Sequence, residues 1–297
     1  MCLLWLKKIY GVANLAASIV TGLCEKDRSQ KTAMTAKVLR MLKELLALAV
    51  VADFKTAWTF YAAILLNLSA ILRDKNLAAP HSKMDGRKCV FRVFGERIVL
   101  DGKTFGYVGE IYARQCYFPT SRHRITKDMA VVDLGAANGV FTVLAARLGR
   151  RVLAMDIDAE RLAELERAVQ ENHCVDKVEV VRGAVGYRSG INIGDPAIPR
   201  FELGEVLRTH GFERVDFLKV DIEGSEFDLF RRDNAWLSKV RRIAMEVHTN
   251  CGDPDEIKDI LESKGFRVTL RDVSGRLVAK ITDSASGYIF AEAGAGT

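Results

Sequence analysis

The densest chemistry in the chain lies in one run, Val215-Asp216-Phe217-Leu218-Lys219-Val220-Asp221-Ile222-Glu223-Gly224-Ser225-Glu226. Its first half has the apolar character of a buried strand. Side chains alternate along a strand, so Phe217, Lys219 and Asp221 share a face, and Lys219 and Asp221 are placed to pair. Asp221 falls at the strand's carboxyl end, where open α/β sheets bind ligands. Glu223 and Glu226 then read as the first turn of a helix, whose dipole favours carboxylates; acids that merely cap and solubilise that helix would look the same. A second polar pair, Glu246 and His248, ends the apolar run 240–247 and again shares one face. If the two strands are neighbours, Asp221, Glu223, Glu246 and His248 converge. Glu246 or His248 is then able to take a proton from a hydroxyl, and His248 has the better intrinsic pKa for it. A hydrogen-bonded strand-end histidine is the plainer alternative. The four groups also suit a divalent cation, although no metal site is expected.

Two more signals lie upstream. Val131-Val132-Asp133-Leu134-Gly135-Ala136-Ala137-Asn138-Gly139 runs from an apolar strand into a small-residue turn, with a helix from Val140. Small residues let the backbone approach a ligand closely, and a helix N-terminus favours polar or anionic groups; a ligand-free βα turn is the alternative. Gly135 and Gly139 are four apart, which is not the dinucleotide G-x-G-x-x-G spacing and disfavours a nicotinamide oxidoreductase. Seventeen residues after Gly139, Asp156 closes the next apolar run, followed by Ile157. A carboxylate there can accept both hydroxyls of a ribose, or serve as a strand-end acid or helix cap beside Asp158.

The Gly135 turn resembles the first motif of class I S-adenosylmethionine methyltransferases, in which the loop cradles the methionine part of the cofactor. Residues 219–226 are similar to the K-x-D-x-E-G-x-E signature of FkbM-type methyltransferases. Met245-Glu246-Val247-His248 looks like that family's E-x-H strand end, and the lead-in from Gly109-Glu110-Ile111-Tyr112 to Tyr117 is similar as well. The likeness covers about residues 85–292. It implies S-adenosyl-L-methionine as cofactor, held by Asp133, Gly135, Ala136, Asn138, Gly139, Asp156, Ile157, Gly183 and Ala184. It implies catalysis by Lys219, Asp221, Glu223, Glu246 and His248, and methylation of a hydroxyl on a small molecule, sugar or lipid-linked glycan. One departure stands out: related enzymes often carry an acid just before the Gly-Ala or Ala of Arg182-Gly183-Ala184, and here Arg182 or Gly183 occupies that place. The adenine contact then falls to backbone or to another residue.

Positioning these groups requires alternating strands and helices. Near-continuous Val, Ile and Leu runs at 129–134, 151–156, 177–182, 215–220 and 240–247 read as strands of a parallel sheet buried on both faces. Helices are expected between them, including 159–171 after a capping Asp158, and at 255–263. Runs at 267–273, 276–281 and 288–291 make a β-rich end. The fold class is α/β, a doubly wound, mostly parallel Rossmann-like sheet with an antiparallel strand near the C-terminus and an N-terminal helical segment. The expected division is 1–80 helical, 81–128 a β-rich lead-in with a hairpin about Gly95, and 129–297 the cofactor-binding domain. Acceptor specificity is expected in residues 1–128 and the 187–210 insertion.

Charge separates the first segment from the rest. Residues 1–80 hold 11 Lys and Arg against 5 Asp and Glu, and the remaining 217 residues hold 33 of each. The neutral catalytic part gives no support to a nucleic-acid methyltransferase, and the sequence after Asp221 lacks the Pro-Pro-aromatic motif typical of amino-group methylation. No nucleic-acid partner is expected. The uncharged runs 9–24 and 56–72, and a polar stripe of Lys37, Arg40, Lys43 and Glu44 in an apolar setting, allow three roles. These are a helical cap, an interfacial membrane contact, or, at slightly short length, membrane spanning. A non-catalytic cofactor- or membrane-binding module is the remaining alternative to an enzyme. Six cysteines without a CxxC pair read as reduced thiols, consistent with a cytoplasmic protein that associates with membranes at most peripherally.

Overall fold

The computed structural model describes residues 47–74, 77–186, 197–232, 234–282 and 285–294. The 9–24 run, the Lys37–Glu44 stripe and residues 187–196 of the expected insertion lie outside the described residues.

Among the described residues, helices α1 (Phe54–Leu66), α2 (Leu68–Asp74) and α3 (Ala78–Ser82) precede a hairpin of β1 (Lys88–Val93) and β2 (Glu96–Asp101). The uncharged run 56–72 is not one helix. It breaks at Asn67, whose side-chain amide turns back to the Ala63 carbonyl at 2.7 Å. No helix among the described residues is long and apolar enough to cross a membrane. Asp53 caps α1 by accepting from Thr56 N, and Thr56 Oγ1 accepts from Val90 N at 2.9 Å, which ties the helix to β1. A short helix α4 (Phe105–Val108) continues into a wider helical turn at Gly109–Ala113, inside the lead-in that the sequence marked as β-rich.

The rest alternates as expected: β3 (Ala130–Leu134), α5 (Val140–Leu148), β4 (Arg151–Asp156), α6 (Ala159–Glu171), β5 (Val178–Arg182), the short parallel pair β6 (Ala184–Val185) and β7 (Arg200–Phe201), α7 (Leu203–Thr209), β8 (Phe217–Val220), α8 (Glu226–Arg231), β9 (Arg242–His248), α9 (Pro254–Ser263), β10 (Phe266–Asp272), β11 (Leu277–Val278) and β12 (Ser286–Ala293). The main sheet has the order β11-β10-β12-β9-β8-β3-β4-β5. Strands β9, β8, β3, β4 and β5 are parallel, and β12 runs against both β9 and β10.

Strand alternation sorts the apolar residues into two cores. Val132, Leu134, Leu218, Val220, Met245 and Val247 face α7, α8 and α9. Val131, Val152, Phe217, Ala244 and Phe290 face α5, α6, the hairpin and the N-terminal helices. Over β8 and β12 this second layer is the lead-in itself. Phe118 stacks on Phe141 of α5 and packs against Phe217 of β8, and His123 meets Phe290 edge-on. Asn172 joins hairpin and helix, accepting from Val99 N at 2.8 Å and donating to Val99 O at 2.6 Å. The parity that puts Phe217 on this face also puts Lys219, Asp221, Glu246 and His248 there, at the carboxyl ends of β8 and β9.

Candidate active site

The turn after β3 is shaped by left-handed residues: Gly135 at φ +76°, Ala137 at +45° and Gly139 at +83°. A Cβ on Gly135 would overlap the carbonyl oxygen of Asp221, so only glycine allows this turn to press against the end of β8. The Gly135 and Ala136 amides both donate to Met155 O at 2.9 Å. From below, Lys219 Nζ donates to Gly135 O at 2.6 Å and Leu134 O at 3.2 Å. It lies 3.2 Å from Asp133 Oδ1 and 3.8 Å from Asp221 Oδ2. Burial works against the ammonium, but the Asp133 and Asp221 carboxylates outweigh it and hold Lys219 charged. The expected Lys219–Asp221 pair is thus the longer of two. The nearer partner is Asp133, which is fully buried and also accepts from Thr142 Oγ1 at 2.6 Å.

Above this support lies a cleft of about 390 Å³, within the range of small-molecule sites. Asp156 lines it from the end of β4. One carboxylate oxygen accepts from Ala137 N at 2.8 Å and the other from Asp158 N at 2.9 Å, and each keeps a lone pair. A ribose diol fits that pair of acceptors, whose direction is fixed by the two amides. Gly135, Ala137, Ile157, Gly183 and Ala184 line the same cleft. Gly183 has no room for a Cβ against the Phe201 ring, which keeps the β5 exit close to the ligand space. Arg182 turns its Nε to Ile157 O at 3.2 Å instead of entering the cleft.

The structure does not bring the whole expected cofactor set to the cleft wall. Asp133 is sealed beneath the turn, and Ala136 and Gly139 are not among the lining residues. Asn138 points to Glu164 and lines a separate cleft under the hairpin. Conversely, Tyr107, Arg161 and Ser225 line the cofactor cleft without having been singled out. Arg161 follows from the cap at Asp158 that starts α6, whereas nothing local marks Tyr107, which reaches the rim because α4 folds back over the sheet.

Beside the cleft, the acids and His248 form a connected group. Asp221 Oδ2 accepts from Tyr117 Oη at 2.8 Å; burial, then the Asp221 charge, holds that phenol well above its ordinary pKa. Glu223 is not in the first helical turn. It sits at φ +55° in the bend before α8, with its carboxylate 3.4 Å from His248 Nε2. Glu226 is fully buried and accepts from Ile222 N at 3.1 Å while sharing a 3.0 Å contact with His248 Nδ1; its Oε2 has no partner among the described residues. Burial lowers His248, but the hydrogen bond to Glu226 and the charges of Glu226, Asp221 and Glu223 outweigh it, raising the imidazole to about 9. Glu246 is raised too, but by burial itself. Burial first, then the Asp221 charge, pushes it up to about 7, against the lowering effect of the Ser286 hydroxyl that donates to it at 2.8 Å. One atom each from Asp221, Glu226 and His248 lies within 4.8 Å of the others, a spacing that a cation can bridge but that the His248–Glu226 contact already spans.

Residues 187–268 match the family model described as methyltransferase FkbM domain, a span that includes β8, the 219–226 run and β9. The AMB antimetabolite synthetase AmbE of Pseudomonas aeruginosa is 40% identical over 75 residues, 23% of this chain and 4% of that protein. Methyltransferase sdnD of Sordaria araneosa is 36% identical over 76 residues, 23% of this chain and 29% of the relative. The chain thus spans less than a third of the curated relatives it matches. The crystal structure of methyltransferase FkbM from Methylobacillus flagellatus is 15% identical with a TM-score of 0.44, covering 86% of this chain and 60% of that one. The 219–226 run thus lies inside a span, residues 187–268, that matches a methyltransferase FkbM domain, and it stands in a sheet of Rossmann-like order.

Proposed function

We propose that the chain methylates a hydroxyl oxygen of a small molecule, sugar or lipid-linked glycan. The observation that carries this reading is Glu246, a half-buried carboxyl at the strand end beside Asp221, pushed up to about 7 by burial and the Asp221 charge. An alcohol gains a methyl group only as it gives up its proton, and a base works best when its pKa lies near the working pH. His248, raised to about 9, is already protonated there and has a different role, holding Glu223 and Glu226 in place.

S-adenosylmethionine, when bound, supplies an activated methyl group on a sulfonium. The chain's own residues bind and orient. Asp156 takes the ribose hydroxyls, the Gly135–Ala137 backbone cradles the methionine end, and Ile157, Gly183 and Ala184 flank the adenine. In this reading Lys219 and Asp133 are positioning residues that set the Gly135 turn from beneath, and Glu246 is the catalytic base. Tyr117 fixes the Asp221 carboxylate by donating to it. The acceptor's proton passes to Glu246 as alignment brings its oxygen to the methyl. Among the described residues the cleft lining is acidic, with Asp156, Asp158, Asp221 and Glu223 against Arg161, which opposes a phosphate backbone and supports an uncharged or cationic acceptor.

The test is transfer of labelled methyl to a panel of hydroxylated, amino and carboxylated acceptors, with the linkage in the product determined. The expected product is an ether, and Glu246→Gln should lower turnover by ~10²–10⁴-fold. Label recovered only on nitrogen, or only as a carboxylate methyl ester, would refute hydroxyl methylation while leaving the methyltransferase fold intact.

A further inference from the structure

Exposed apolar side chains are unevenly spread over the described residues. Six of the nine large ones, Val50, Phe54, Trp58, Leu65, Leu66 and Leu68, fall within positions 50–68. Helix α1 carries a single charged side chain, Lys55, in 13 residues. Its inner face, with Ala57, Phe60, Ala63 and Ile64, meets the core, where Phe60 packs on Phe105 at 4.3 Å and on His81 at 5.4 Å. Away from that face Phe54, Trp58 and Leu65 follow helical spacing and form an exposed stripe about 40° wide. Phe54 is 68% exposed, Trp58 62% and Leu65 62%, and Phe54 stacks on Trp58 with ring centroids 6.5 Å apart.

A helix that is apolar on every side belongs in a protein core or against lipid. The inner face of α1 has its core; the outer face has none among the described residues. Thirteen residues reach only ~20 Å, too short for a hydrocarbon layer of ~30 Å, so the helix fits along a bilayer surface and not across it. Trp and Tyr are the side chains that settle at the headgroup level. Charge points the same way. Residues 1–46 hold 8 Lys and Arg against 3 Asp and Glu and lead straight into the described fold at position 47, while the chain beyond position 80 is balanced. Basic segments beside an apolar face are drawn to anionic headgroups.

We infer that the outer face of α1, extended by Leu66 and Leu68, seats on the surface of an anionic lipid bilayer with the helix lying in the plane of the interface. The inner face then links that surface to the cofactor cleft: Phe60 rests on Phe105, two residues before Tyr107 at the cleft rim. The inference goes beyond methyl transfer and does not depend on it.

The experiment is flotation of the full chain with vesicles of phosphatidylcholine alone and of phosphatidylcholine mixed with phosphatidylglycerol. A variant carrying Phe54→Ser, Trp58→Ser and Leu65→Ser is run in parallel, with residues 1–46 intact. The wild type should float with the anionic vesicles, and the variant should lose at least ~10-fold in partitioning. The replaced side chains face outward, so the variant's melting temperature should match the wild type's. Three results would overturn the inference: no flotation of the wild type; equal flotation of the variant, which would assign binding to residues 1–46; or a wild-type dimer that the variant breaks without any flotation, which would make the face a contact between copies. Calorimetry of S-adenosylmethionine binding on the same variant keeps a failure here distinct from a failure of the methyltransferase reading.

Discussion

Glu246 and His248 stand two residues apart on one strand and are both raised, to about 7 and about 9, by neighbours that come from different elements. Glu246 is half-buried near the charge of Asp221, with one hydroxyl donor from Ser286; His248 is flanked by Glu223 and Glu226. A residue's intrinsic pKa pointed to His248 as the base, and in the proposed function that role falls to Glu246, whose pKa lies nearer the working pH. Strand alternation made their shared face legible in the sequence. It contained nothing about Ser286, forty residues on, or about how far Glu226 is buried. The signs can be checked in a pH profile of kcat/KM. Glu246 acts when ionised, so the rate should rise through about 7. His248 holds its carboxylates when protonated, so the rate should fall through about 9, and His248→Gln should remove that descending limb. A flat profile in the wild type would contradict both assignments.

At the scale of elements, the strand and helix that hold Asp156 were fully legible. Arg151–Asp156 and Ala159–Glu171 end where the sequence placed them, since an apolar run and the Asp158 cap mark the limits unambiguously. The turn after β3 was legible as a turn but not residue by residue. Spacing identifies small residues near a ligand without showing which side of the loop faces it, so Asp133, Ala136, Asn138 and Gly139 were grouped with Gly135 although they lie off the cleft wall, and Ala137, which lines it, was left out. Glu223 was misplaced for a related reason. Gly224, at φ +100°, bends the chain and delays α8 to Glu226. The Gly135 turn itself makes a sharp prediction. Gly135→Ala adds a Cβ onto the Asp221 carbonyl at a left-handed φ, and should cost about 2–4 kcal/mol in denaturant unfolding, together with loss of cofactor affinity. An unchanged midpoint with normal affinity would show that the contact with β8 does not shape the turn.

For the whole molecule, residues on both sides of position 80 share one core: Phe60 and Ile64 belong to the same cluster as Phe91, Phe118, Phe141 and Phe217. The change in composition near that position was readable from the sequence; the lead-in's role as a covering layer over β8 and β12 was not, because it depends on aromatic contacts such as Phe118 on Phe141 that link distant segments. The account's central claim is that this layered sheet presents Asp156 and the Gly135 turn to S-adenosylmethionine. The direct measurement is calorimetric titration of the full chain with S-adenosylmethionine, beside Asp156→Ala. The account predicts micromolar binding that the substitution weakens by at least ~10-fold, or ~1.4 kcal/mol. No binding by folded wild-type protein, or equal binding by the Asp156→Ala variant, would contradict it.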